Sequence, residues 1–232
     1  MTLVPVLAQG VAGVDELLSR PIVLVVALAV LSLLPFAFMT VTAFVKIATV
    51  LQIVRGAIGA QGVPSGSVVM ALAAALTLIA MAPVTDKILS QAAPLFHEKG
   101  ADTVALVQRG VDAVRGPMRD FLKANASDIE RGRFLDVARD ARPQAERASV
   151  AEDDLTVLVP AFVVTELSKA FAIGFLIYLP FLVIDLVVSN ILLALGMQMM
   201  SPTQVSLPFK LLLFVATNGW GLLARSLVSG YR

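Results

Sequence analysis

Residues 21–45 contain no charged side chain, and at about 1.5 Å per helical residue such a run can cross a hydrocarbon layer roughly 30 Å thick. Pro35 falls inside it and is expected to kink the helix, since neighbouring membrane helices can satisfy the carbonyl that a proline frees. A second apolar run covers residues 68–84, with Pro83 near its end. The loop between them holds Gly56, Gly59, Gly62, Pro64 and Gly66, a set that forces a sharp turn. Residues 21–85 therefore read as one hydrophobic helical hairpin, preceded by a leader segment, residues 1–20. That leader lacks the basic start of a signal peptide.

The pattern changes over residues 86–154, which hold 11 of the 18 Lys and Arg and 13 of the 17 Asp and Glu. This is a water-facing insert. Val104, Val107, Val111, Val114, Met118 and Phe121 recur at spacings of three and four, which places them on one face of a helix. Gly116-Pro117 is expected to break that helix. Ser127 followed by Glu130 is a capping-box start for a second short helix carrying Phe134 and Leu135. The charges of the insert read as a solvated helix surface.

Residues 155–232 return to apolar character, but Pro180, Pro202 and Pro208 cut the run and Gly174 weakens it. The stretch 157–200 is about twice one membrane span. It is expected to form a helical hairpin bent between Gly174 and Pro180, and residues 207–227 supply the last long segment. The fold class is all-α, with kinked and broken helical hairpins and a small hydrophilic helical insert.

Composition narrows the function classes. The chain is 58% hydrophobic with a mean hydropathy of +0.86, above the roughly half-apolar average of soluble domains, so lipid or other membrane subunits must cover much of it. A net charge of +1 with 6% aromatics offers no basic, ring-lined surface for nucleic acid. Without cysteine there is no disulfide, thiolate nucleophile or sulfur-ligated metal. The single His97 has no ligand pattern around it, and no metal or cofactor is expected. A phosphate-cradling Gly-Lys-Ser/Thr loop is also absent from the sequence, so any ATPase must be a separate partner.

The candidate functional residues are the charges inside the apolar runs: Lys46, Glu166, Lys169, Asp185 and Lys210. Facing lipid, they would together cost roughly 15 kcal/mol on insertion scales. They must instead face protein, a wet cavity or each other. Glu166 and Lys169 are three apart and can pair on one helix face. Asp185 and Lys46 have no opposite charge within a turn, so their partners come from distant segments or other subunits. Asp185 can pair with Lys46 or Lys210 of the same chain or across a subunit interface, and both readings stand. The run Gly196-Met197-Gln198-Met199-Met200-Ser201-Pro202 gathers unbranched, repackable thioether side chains where a helix must stop. Such a turn could seal a pore around a passing chain, or merely fill a helix-end core.

Topology follows from the loop charges. Lys46 and Arg55 without a nearby acid place the first interhelical loop in the cytoplasm by the positive-inside rule, and the insert outside, although Arg225 and Arg232 count against simple alternation.

These residues resemble the FliP/SctR (YscR-like) family, core subunits of the type III secretion export apparatus. The likeness rests on Leu34-Pro35-Phe36, Phe44-Val45-Lys46-Ile47, Arg55-Gly56-Ala57-Ile58-Gly59 and Met81-Ala82-Pro83-Val84. It continues through Val159-Pro160-Ala161-Phe162, Glu166-Leu167, the block from Ile173-Gly174-Phe175 to Val187-Val188, and Ser206-Leu207-Pro208-Phe209-Lys210. Pro117-Met118-Arg119-Asp120-Phe121-Leu122 is similar to a family pattern in the insert. The resemblance implies a non-enzymatic, pore-forming subunit that passes unfolded proteins across the bacterial inner membrane. The implied assembly is a pentameric homo-oligomer wound into a helical, cone-shaped gate with SctS/FliQ-like and SctT/FliR-like subunits, served by SctU/FlhB-like and SctV/FlhA-like proteins. In that family the methionine-rich turn forms the pore gasket, which here would be Met197, Gln198, Met199 and Met200. Gln198 stands where many members carry methionine, and Asn218 where they carry aspartate. Such subunits insert as membrane proteins yet can end up largely lifted from the bilayer. The methionine turn and short leader favour the injectisome over the flagellar type. Two other readings follow from the residues alone: an oligomeric ion or small-solute transporter, in which embedded charges and broken helices also occur, and an intramembrane aspartyl protease, which would need Asp185 to share a proton with a second acid, Glu166 being the only candidate.

Overall fold

The computed structural model describes residues 21–60, 62–96 and 103–231, so the leader segment and His97 lie outside the described residues. Its contacts divide the chain into two units, Met1–Met39 and Thr40–Arg232. Helix α1 (Pro21–Val41) provides the described part of the first unit. It runs through Pro35 and ends at Val41.

In the second unit come α2 (Phe44–Ile58), α3 (Gly66–Ala92), a 3-10 turn (Ala93–Phe96), α4 (Thr103–Asn125), α5 (Asp128–Asp140), α6 (Leu155–Ala194), α7 (Pro202–Ala216) and α8 (Gly219–Ser229). Among the described residues there is no strand. The helix expected to continue to Val45 stops at Thr42-Ala43, where the Thr42 hydroxyl accepts from the Phe44 amide at 3.3 Å. This local bond competes with the helical one. The hairpin with α3 is therefore made by α2, not by the whole run 21–45. Of the predicted turn residues, Gly59 closes α2 in the left-handed region at φ 74° and the Pro64 carbonyl accepts from Arg55 Nε at 2.8 Å; the Ser65 hydroxyl, which the sequence reading did not single out, caps α3.

Three expected breaks do not occur. Helix α4 continues through Gly116-Pro117 to Asn125. A proline deletes one backbone hydrogen bond, and here burial of Ala113 before it and Phe121 and Leu122 after it holds the two turns in line. Helix α6 is likewise a single helix of 40 residues, with Pro160 and Pro180 inside it. It is one rod about 60 Å long rather than a hairpin bent between Gly174 and Pro180. Gly174 serves close approach instead: a Cβ there would lie 2.5 Å from Ile53 Cδ1 on α2. Pro208 also lies within its helix, α7, whereas Pro202 stands at the start of α7, where its missing N–H costs nothing.

The last apolar segment, expected to be continuous, is broken between α7 and α8 by 58°. Asn218 occupies the left-handed region at φ 51° and ψ 47°. The Thr217 hydroxyl donates to the Leu213 carbonyl at 3.0 Å, and the Phe214 ring meets Trp220 edge-on with centroids 5.1 Å apart. A Cβ on Gly219 would enter that Phe214 ring.

The core lies where α2 crosses the first half of α6. Ile47, Val50, Leu51 and Val54 are buried on α2, and Val157, Leu158, Ala161, Phe162 and Ala170 on α6. Helix α3 packs on α2, and α4 and α5 close over the start of α6. At the start of α5 the predicted cap is present, with the Ser127 hydroxyl accepting from the Glu130 amide at 3.2 Å. The second half of α6 is different. Phe181, Val188 and Leu192 are buried there, while Val183, Leu186, Val187, Ile191 and Leu193 are exposed.

Replacing Gly174 with leucine is expected to destabilise the detergent-solubilised protein by about 1–3 kcal/mol through overpacking. Ile53→Ala in the same chain should recover most of the loss. Thermal melting of the single and double variants reads both effects, and an unchanged melting temperature in Gly174→Leu alone would refute the close-approach account.

Candidate functional site

Two clusters of embedded charge sit at opposite ends of α6's contact with its neighbours. The first centres on Glu166, whose side chain has no exposed surface. Lys46 Nζ from α2 lies 3.2 Å from its Oε2, and Lys169 Nζ, one turn along α6, lies 3.0 Å from its Oε1. The Tyr231 hydroxyl, just beyond α8, donates to the same Oε2 and lies 3.2 Å from the Ala43 carbonyl. Lys46 Nζ also sits 3.6 Å above the centre of the Tyr231 ring, a cation–π contact that gains strength with desolvation. Lys169 reaches further, donating to the Asn125 carbonyl at the end of α4 at 2.9 Å. One carboxylate thereby ties together α2, α4, α6 and the segment after α8.

The second cluster lies farther along α6. Asp185 Oδ2 accepts from Lys210 Nζ of α7 at 2.6 Å, and its Oδ1 from the Ser206 hydroxyl at 2.5 Å. Lys210 also donates to the Ala57 carbonyl at 3.3 Å. A lysine at that position satisfies a carbonyl left open at the end of α2 and sits at the negative end of its dipole. Lys210 is buried and Asp185 is 28% exposed at its side chain. Of the two lysines named as partners for Asp185, the structure brings Lys210 to it; Lys46 pairs instead with Glu166, a pairing the sequence reading did not name. The Glu166–Lys169 neighbour pair forms as the spacing predicts.

Glu166 and Asp185 are separated by about five turns of α6, roughly 28 Å, and each is matched to lysine. They do not form the proton-sharing dyad that an aspartyl protease requires.

The turn between α6 and α7 carries the methionines. Gly196 adopts φ 73°, the Met197 amide donates to the Leu192 carbonyl at 2.9 Å and the Gly196 amide to the Leu193 carbonyl at 3.1 Å. These two bonds are the Schellman ending of a helix. A further bond from the Met200 amide to the Met197 carbonyl closes the turn, and Pro202 begins α7. Met197, Gln198, Met199 and Met200 are all exposed, Met199 completely so. Glycine and proline thus hold a short apolar loop clear of the chain's own core.

Sequence reasoning did not identify Tyr231 or Ser206. The available signal for Tyr231 was a phenol isolated in an apolar, charge-poor tail, since a buried Tyr hydroxyl usually has a partner. Ser206 lies four residues before Lys210 and so faces the same way on α7.

In the insert, ion pairs connect rather than ligate. Lys123 meets Asp153 at 2.8 Å and Arg131 meets Glu152 at 2.9 Å, tying α4 and α5 to the approach to α6. The hydrogen bond from Lys123 holds the exposed Asp153 carboxyl below its ordinary pKa, with the positive charges of Lys123, Arg119 and Arg131 adding to the effect.

Breaking one partner of a buried pair strands the other charge, a loss of about 3–5 kcal/mol. Glu166→Ala is expected to abolish stable folding, or to lower the melting temperature of the solubilised chain sharply. Lys46→Met combined with Glu166→Leu should be far milder, because no uncompensated charge remains at that contact. Equal melting temperatures for the single and double variants would contradict this account.

The chain matches the model of the FliP family over residues 27–227. It is 43% identical over 209 residues to the hypersensitivity response secretion protein HrcR of Ralstonia nicotianae, covering 90% of this chain and 96% of that protein. It is also 43% identical to Yop proteins translocation protein R of Yersinia pestis, covering 90% and 95%. With the flagellar biosynthetic protein FliP of Cereibacter sphaeroides it is 42% identical, covering 96% of this chain and 71% of that protein. A match of this extent spans the five embedded charges and the methionine turn, and the chain belongs to the FliP family.

Proposed function

We propose that this protein is a structural, non-enzymatic, pore-forming subunit of a type III secretion export gate, through which unfolded polypeptides cross the bacterial inner membrane. The reading is carried by the near full-length likeness to proteins named for secretion and translocation, which extends through the exposed methionine turn. The high coverage of the HrcR and Yop R proteins, against 71% of the flagellar relative, supports the injectisome type.

Physical features support the same reading. Two helices are long and apolar enough to cross a membrane, or up to four if each bent pair counts as one span, which favours a multi-pass protein of the inner membrane. A rod of about 60 Å is twice the thickness of a hydrocarbon core. Part of α6 must therefore find its apolar partner outside lipid, and the exposed second half of α6 suits burial by other subunits. The proposed assembly is a pentameric homo-oligomer coiled with SctS/FliQ-like and SctT/FliR-like subunits into a cone, with SctU/FlhB-like and SctV/FlhA-like proteins as further partners. Within it Met197, Gln198, Met199 and Met200 from each copy meet as a gasket. Thioether chains shed water, exclude ions and repack around whatever passes. The transporter alternative receives less support, because Lys46, Glu166, Lys169, Asp185 and Lys210 are paired with one another inside the chain. They are not poised along a conducting path.

Changing Met197, Met199 and Met200 together to glycine is expected to leave the complex intact on native gels. It should also make the membrane leaky to ions and small solutes, read as dye release from vesicles or growth arrest on expression. Loss of the complex without leak would assign these residues to packing, and an intact, tight membrane would remove the gasket.

A further inference from the structure

Helix α8 lies against α3, and between them runs a cleft of about 390 Å³ lined by Leu76, Ile79, Ala224, Arg225, Val228 and Ser229. The Ser229 hydroxyl donates within its own helix, to the Ser226 carbonyl at 3.2 Å. Arg225 is exposed and, unlike the five embedded charges, has no ion pair or hydrogen bond to another described residue. The cleft is therefore an apolar trough with one free guanidinium in its wall.

The height of that guanidinium along the helices is fixed from two sides. Leu76 and Ile79 lie 10 and 13 residues after Gly66, where α3 begins, and 16 and 13 before Ala92, where it ends. At about 1.5 Å per residue the cleft is roughly 15–24 Å from either end of that helix. Six residues beyond Arg225, the Tyr231 hydroxyl is held by Glu166, itself 11 residues into α6. An arginine near the end of a span can extend its head group to the membrane surface, but one at the middle cannot. Because α3 is long and apolar enough to cross a membrane, Arg225 stands level with the middle of a span. Lipid phosphate is out of reach there, and the charge has to be met by protein.

The acids inside the chain's own apolar helices are already taken. Glu166 has no exposed surface and holds Lys46 and Lys169, while Asp185 accepts from Lys210 and Ser206. Asp86 lies seven residues beyond Ile79 on α3, about 10 Å away by helical rise. A second copy of this chain therefore brings no spare carboxylate to the level of Arg225.

We propose that the α3–α8 cleft receives an apolar helix of a different subunit, and that an aspartate or glutamate within that helix pairs with Arg225. Charge complementarity selects this occupant. A helix apolar throughout would bury the guanidinium unmatched, whereas a carboxylate fits its planar fork with two parallel hydrogen bonds. Leu76, Ile79 and Val228 supply the apolar walls. Such a pair gives specificity more than strength, because a helix that lacks the acid, or carries a basic residue at that level, is rejected. The inference rests on the reading of the chain as one subunit of a mixed membrane assembly, and names the feature by which it chooses a neighbour.

The full-length chain would be co-expressed with the other membrane subunits of its export apparatus, with p-benzoylphenylalanine in place of Ile79. Membranes would be irradiated and the crosslinked peptide identified by mass spectrometry. The expected product joins position 79 to a different subunit, on an apolar segment carrying an aspartate or glutamate within about two helical turns of the attachment point. Arg225→Gln should lower the yield of that product by more than about tenfold, as expected when one partner of a buried pair is truncated. The melting temperature of the isolated, detergent-solubilised chain should not change. Arg225→Glu combined with lysine in place of the identified acid should restore the product. Crosslinking to lipid alone, to a second copy of this chain or to a segment without an acid would overturn the proposal. So would a yield unaffected by Arg225→Gln, or a reversed pair that fails to restore it. A lowered melting temperature for Arg225→Gln would assign Arg225 to the chain's own packing instead. Since the crosslink is read without any measurement of leak or secretion, a failed gasket test and a failed cleft test remain distinguishable.

Discussion

The contact on which the rest of the second unit depends is the Glu166 carboxylate, an acidic group with no exposed surface within the first half of an apolar helix. It can exist there only because Lys46, Lys169 and the Tyr231 hydroxyl converge on it. Each partner comes from a different part of the chain, so satisfying one charge fixes where α2 crosses α6 and where the segment after α8 must return. The Asp185–Lys210 pair does the same farther along α6, locating α7 against α6 and, through the Ala57 carbonyl, against the end of α2. Apolar surfaces can slide over one another at little cost, whereas a buried pair is strong only at one register. These clusters therefore supply specificity that the Leu, Val and Ile lining of the helices lacks.

The two halves of α6 live in different environments within one rod. Its first half carries the core and the Glu166 cluster. Its second half leaves Val183, Leu186, Val187, Ile191 and Leu193 uncovered and delivers the methionine turn at its end. A rigid helix linking a packed base to an apolar tip can present that tip at a fixed distance from the base. This suits a subunit whose exposed half is completed by other chains or by lipid. The turn is equally constrained: the Schellman bonds at Gly196 and the proline opening α7 leave the methionines little backbone freedom while their side chains are exposed.

The insert is held by a separate means. Its α4 and α5 are rich in charge, and ion pairs such as Lys123–Asp153 and Arg131–Glu152 fasten them to the approach to α6. Exposed pairs of this kind contribute little individually. The stronger ties are the burial of Phe121 and Leu122, the stacking of Phe121 on Tyr231 and its tilted contact with Phe162, and the bond from Lys169 to the end of α4.

The sequence by itself determined the all-helical class, the apolar segments, the charged insert, the Ser127 cap, the methionine turn and the set of embedded charges that needed partners. Each of these follows from short-range periodicity, capping chemistry or the cost of placing a charge in hydrocarbon, and none needs a distant residue. Tertiary structure decided the rest. The breaks moved from Pro180, Gly116-Pro117 and Gly174 to Thr42-Ala43 and Thr217-Asn218, because burial on both sides of a proline can outweigh one lost hydrogen bond, while a hydroxyl bonded to the backbone or an Asn in the left-handed region can end a helix without a proline. Gly174 is present for the approach of Ile53, a residue more than a hundred positions earlier. The choice of Lys46 for Glu166 and of Lys210 for Asp185 depended on which helices crossed. A sequence states that a buried charge must be matched, but only the packed chain determines by which residue.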